Sequence, residues 1–203
     1  MRFTSNSVAH ISGLLPDRLR SQIFRFVFVS ANNPNWHYAP PELRQMFRGI
    51  WTDILEITKK EGYFPRGASI LGITTLAGIA NQWGAGVLSE DKRYFANFPE
   101  LTQFYALWEP KNEIISLAFK DDMTLLVYGN VAPIDGWCEV HTKARITRVF
   151  LSPEEVGQKE VNHVGMFKEG KKEVWEMICD IAVEGKLPDR GEIRRWNQGK
   201  AKL

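Results

Sequence analysis

The sequence predicts an α/β fold: a mostly parallel β-sheet flanked by helices, with a helical insertion between two of its strands. Three observations predict it. Phe24-Arg25-Phe26-Val27-Phe28-Val29-Ser30-Ala31, Ile114-Ile115-Ser116-Leu117-Ala118-Phe119 and Arg148-Val149-Phe150-Leu151 are compact apolar runs without a polar alternation, as in strands covered on both faces. The stretch 171–184 sets Val174, Trp175, Ile178, Ile181 and Ala182 at helical spacing with its charges opposite. The segment from Asn33 to Pro110 is far too long for a bare connection and carries helical patterns of its own.

In chain order, Arg2-Phe3-Thr4 reads as the end of a strand, and 8–15 as a short apolar helix that Pro16 stops. The run 24–31 is the next strand, closed by Asn32, Asn33 and Pro34. Inside the insertion, Pro40-Pro41-Glu42 opens a helix through Leu43, Phe47, Ile50, Trp51, Ile54, Leu55 and Thr58. Turn-rich Glu61-Gly62-Tyr63-Phe64-Pro65-Arg66-Gly67 breaks it, and 74–88 reads as a second helix with Leu76, Ile79, Ala80 and Trp83 on one face. The strand 114–119 ends at Lys120-Asp121-Asp122. Parallel pairing with 148–151 requires a crossover through 123–144, which Gly129 and Pro133 interrupt. Right-handed crossovers then place 24–31 between the stub at Phe3 and 114–119, with 148–151 next outward, all parallel. Gly185 and Pro188 stop the last helix, and 190–203 reads as a polar, basic, solvated tail. The expected organisation is a core of 1–32 and 111–189, a helical lid of 33–110, and that tail.

The 203 residues suit one domain with a substantial core. A net charge of +2 gives no signal for nucleic acid. No apolar stretch is long enough to span a bilayer, and the first fifteen residues lack the pattern of a signal peptide. Cys138 and Cys179 make neither a disulfide framework nor a metal site, so reduced cysteines in the cytoplasm, with no metal, are expected.

Three segments carry candidate chemistry. Ser5-Asn6-Ser7-Val8-Ala9 is a small-x-Ser-x-small turn following the first strand, where small neighbours let the backbone bend sharply and present Ser7 Oγ. Asp121-Asp122 stands at the carboxyl end of a strand, where open α/β sheets form their ligand crevices. Asp122 is preferred over Asp121 because Met123-Thr124-Leu125 follows it. His163, in Asn162-His163-Val164-Gly165-Met166-Phe167, lies between the last core strand and the last helix, a placement that His10, His37 and His141 do not share. The aromatic Trp36-His37-Tyr38 cluster sits where the chain enters the insertion.

Ser, Asp and His in this order at strand ends resemble the α/β-hydrolase superfamily. With Trp36, Gly62-Tyr63-Phe64-Pro65, Trp83 and Trp175, the chain to about Glu184 is similar to a group of predicted hydrolases that carry a Gly-His-aromatic-Gly-aromatic-Phe motif. The resemblance implies Ser7, Asp122 and His163 as a catalytic triad and the Val8 N–H as an oxyanion donor. It implies no cofactor and a small-molecule ester, thioester or amide as substrate, with Trp36, His37, Tyr63 and Trp83 as pocket candidates. Asn162 stands where that group has glycine, and Ser5 and Ala9 where the serine turn usually has glycines.

In that superfamily further strands and a second oxyanion loop precede the serine, and this sequence begins after them. The expectation is therefore the C-terminal portion of a serine hydrolase, slow on its own, with a sheet edge at Phe3 open to self-association. The alternative is a non-catalytic remnant of the same fold that acts as a binding or interaction module.

Overall fold

The computed structural model describes residues 3–4, 16–30, 35–66, 74–91, 112–122, 144–165 and 168–196. Strands β1 (Phe3–Thr4), β2 (Arg25–Val29), β5 (Glu113–Phe119), β6 (Arg145–Leu151) and β7 (Glu192–Trp196) form one sheet in the order β1-β2-β5-β6-β7. The first four are parallel to their neighbours and β7 is antiparallel to β6. The run at 24–31 thus lies between the stub and 114–119, as the sequence predicts.

The absence of a polar face in these strands has a direct structural cause. Register aligns Val27 with Ile115, Val29 with Leu117 and Val149, and Phe119 with Leu151 on one face. Helix α5 (Lys172–Glu184) packs on that face through Val174, Ile178, Ile181 and Ala182, and Val161 joins the same cluster. The opposite-facing residues Phe26, Phe28, Ile114, Ala118, Ile146 and Phe150 are buried as well. Each large side chain removed from water contributes roughly 1.5–3 kcal/mol, so the three central strands anchor the molecule.

The lower end of α5 is tied to β2. Gly185 caps the helix at φ 72°, and Arg25 from the first residue of β2 donates to the carbonyls of Ile181 and Ala182 at 3.3 and 3.1 Å. The same guanidinium pairs with Glu113 of β5 at 2.6 Å. One arginine therefore joins two strands and a helix C-terminus, where a cation is favoured.

Helix α1 (Asp17–Arg20) precedes β2, and between β2 and β5 the chain makes helices α2 (Arg44–Glu61) and α3 (Ala77–Val87), with a small antiparallel pair, β3 (Tyr63–Phe64) and β4 (Thr75–Leu76). The first turn of the expected 40–58 helix is a separate 3-10 turn, Pro41–Leu43, directly ahead of α2. The helices approach closely at Gly84, where an added Cβ would fall 2.6 Å from Leu55 Cδ2. Ala39, Phe47 and Val87, with Trp36, Trp51 and Leu88, form the apolar cluster of this segment.

The reading of 190–203 as a solvated tail is corrected at Glu192–Trp196, which pairs along β6 from Ile146 to Phe150. Its charges do not forbid a strand, because this one lies at the sheet edge: Arg194 and Arg195 are exposed, and Glu192 accepts from the buried Arg148 at 2.6 Å. Among the described residues no helix is long and apolar enough to cross a membrane.

Candidate active site

The strongest site geometry lies at the carboxyl ends of β5 and β6. Beyond Phe119, β5 closes a turn in which the Asp122 N–H donates to the Phe119 carbonyl at 3.1 Å. That turn places two consecutive carboxylates in different surroundings. Asp122 is wholly buried, and its Oδ2 lies 2.9 Å from His163 Nδ1. A carboxylate only accepts, so Nδ1 is the nitrogen that donates in this contact, and in the neutral imidazole the lone pair belongs to Nε2. The imidazole side chain remains 38% exposed, within reach of a reactant from solvent.

His163 is delivered by the chain that leaves β6. After Leu151 come the 3-10 turn Pro153–Val156 and then the single helical turn α4, Asn162–Gly165, where the sequence suggests an irregular loop. Asn162 adopts φ 47°, a left-handed backbone in which glycine is commonest and asparagine is among the best tolerated of the others. Its Oδ1 accepts the Gly165 N–H at 2.8 Å, and a Cβ on Gly165 would collide with that oxygen.

Asp121 does not face the imidazole pair but holds the approach to it. Its Oδ2 accepts the backbone N–H groups of Val161 at 2.7 Å and Asn162 at 3.0 Å. Of the two neighbouring aspartates, Asp122 is the one in contact with His163. The backbone role of Asp121 had no sequence signal beyond the Asp-Asp pair itself.

A second left-handed non-glycine stands nearby in the topology. Ser30, directly after β2, has φ 50° and donates its N–H to the Leu117 carbonyl at 2.8 Å. Its buried Oγ has no hydrogen-bond partner among the described residues. Strained positions of this kind concentrate at functional crevices. Composition and periodicity gave no hint of it.

Ser7 and Val8 lie outside the described residues. Ser7 follows the end of β1 by three residues in sequence, and β1 is parallel to β2 and so emerges at the same sheet end as the Asp122 turn. The pocket candidates belong to the insertion. Trp36 is packed in its apolar cluster with Arg48 over the ring at 4.5 Å, and its indole donates to the Ser89 carbonyl. His37 donates from Nδ1 to Asn35 Oδ1 at 3.0 Å, with Nε2 3.8 Å from Glu90. Buried Asn35 reaches the carbonyls of Gly86, Ser89 and Asp91, which fastens the chain entering the insertion to the end of α3. Trp83 is half-buried on α3, and Tyr63 is 44% exposed on β3. The structure brings Asp122 and His163 together, whereas Trp36 and His37 are engaged within the insertion's own framework.

Among the described residues no group of three or more His, Cys, Asp or Glu side chains is placed to hold a metal ion. Compared with known proteins, the chain matches no family model, no curated protein and no solved structure.

Proposed function

We propose that this chain carries the catalytic machinery of an α/β-hydrolase-type serine hydrolase that cleaves an ester, thioester or amide. The observation that carries the reading is the 2.9 Å contact between His163 Nδ1 and the fully buried Asp122 carboxylate at the carboxyl end of a parallel sheet. A buried carboxylate against an imidazole fixes one tautomer and one ring orientation, which a general base requires. The sheet order supports it too: Ser7 follows β1 in sequence, Asp122 follows β5 and His163 follows β6.

In this mechanism Ser7 Oγ attacks the substrate carbonyl while His163 Nε2 takes its proton, and Asp122 stabilises the imidazolium so formed. The Val8 N–H donates to the developing oxyanion. Collapse of the tetrahedral intermediate breaks the bond to the leaving group, which receives the proton from Nε2 and leaves an acyl ester on Ser7. Water, deprotonated by the same nitrogen, hydrolyses that ester and restores the serine. In this reading the segment 33–110 is a lid that shapes the acyl or leaving-group pocket.

A fluorophosphonate reacts only with an activated serine and therefore tests the reading without knowledge of the substrate. Labelling of the native chain is expected, because the Asp122–His163 pair would activate Ser7. Ser7→Ala should abolish it and Asp122→Asn should slow it by about 10,000-fold, into the background, through the wrong histidine tautomer. Labelling that survives Ser7→Ala, or none in the native chain, would overturn the assignment and favour a non-catalytic binding module.

A further inference from the structure

We propose that Asp121 is a positioning residue: its carboxylate clamps the backbone ahead of His163 and so sets the imidazole onto Asp122. The inference deepens the serine-hydrolase reading and rests on it only for the catalytic consequence. Four observations converge on this clamp. Asp121 Oδ2 accepts two successive N–H groups, those of Val161 and Asn162, which immediately precede His163. Asn162 is held left-handed at φ 47°, a conformation that non-glycine residues adopt mainly where their surroundings enforce it. The Asn162 side chain locks the following turn through the Gly165 N–H. The remaining oxygen, Asp121 Oδ1, is buried and meets no donor among the described residues.

That last point distinguishes a clamp from an ordinary turn acid. A turn that only ended β5 would leave its carboxylate in water, where all its lone pairs are satisfied. Here one oxygen is buried and meets no donor among the described residues, while the other is committed to the loop of His163. Adjacent carboxylates also repel each other, so their coexistence calls for separate partners. Asp122 has the imidazole, and Asp121 has the two amides that place it.

The test reads His163 directly. In chain labelled with 15N-histidine, the Nδ1 proton bonded to Asp122 should give a strongly deshielded signal, and the same signal should persist in Ser7→Ala. Asp121→Asn keeps one carbonyl oxygen able to accept both amides, so it should retain the signal and label with fluorophosphonate within about threefold of the native rate, a change smaller than one lost hydrogen bond. Asp121→Ala removes both acceptors and should lose the signal; displacement of the base by about 1 Å lowers the labelling rate roughly 100-fold. A native signal in folded Asp121→Ala would overturn the proposal. Loss of the signal in folded Asp121→Asn would also overturn it, because charge rather than hydrogen bonding would then be the cause; this variant decides the matter if Asp121→Ala does not fold. Because the signal is read without any reaction at Ser7, a non-catalytic chain would leave this test intact.

Discussion

Single residues at the carboxyl end of the sheet depart from local preference where the candidate chemistry lies. Ser30 and Asn162 are the only positive-φ non-glycines among the described residues, one after β2 and one before His163. They differ in how the backbone is compensated. Asn162 has a side-chain bond and the Asp121 carboxylate, and Asn162→Ala should cost about 1–2 kcal/mol from strain and a lost hydrogen bond. Ser30 has a buried hydroxyl with no partner among the described residues, so Ser30→Gly should raise stability by about 1 kcal/mol, after the entropy of glycine is set against relieved strain. Urea unfolding of the two variants checks both signs, and a Ser30→Gly chain less stable than the native one would show that the hydroxyl holds structure. Neither position was legible in the sequence, because left-handed backbone in serine or asparagine follows from tertiary contacts. Asn162 could be noticed only as the departure from a glycine.

Elements were legible where burial, and not edge pairing, decides the structure. The central strands β2 and β5 have ends within two residues of their apolar runs, since two covered faces favour apolar residues at nearly every position. Strand β6 begins at Arg145, earlier than its apolar run, because Ile146 and Thr147 are buried by pairing while Arg145 stays exposed. Strand β7 was hidden by its composition, Glu-Ile-Arg-Arg-Trp: an edge strand needs only backbone partners and one inward residue, here Ile193 opposite Val149. Helix α5 was plain from its period, but its anchor was not. Gly185 combines a left-handed φ of 72° with the Arg25 guanidinium in the space a Cβ would take. Gly185→Ala should therefore destabilise by more than the 1 kcal/mol or so of a lost C-cap glycine alone, and Arg25→Ala/Gly185→Ala should be less than additive. Thermal or urea unfolding of this cycle would contradict the account if the two changes simply added.

For the molecule as a whole, the sheet gathers at one end what the chain separates by more than a hundred residues. β1, β2, β5 and β6 run parallel, so the segments after each leave from the same side, and the turn after β5 and the loop after β6 meet there as an Asp122–His163 pair. The order of these strands followed from right-handed crossovers between neighbouring parallel strands. What the sequence could not convey is the division between two neighbouring aspartates, because it depends on which way each carboxylate leaves one tight turn. The account stands on the arrival of a serine at the remaining nitrogen of His163. The measurement that tests this most directly is the distance from Ser7 Oγ to His163 Nε2 in a crystal structure of the chain. The account predicts about 2.6–3.2 Å, or one bridging water, with Nδ1 still on Asp122. A Ser7 backbone more than a side-chain length from the imidazole, with His163 turned elsewhere, would contradict it.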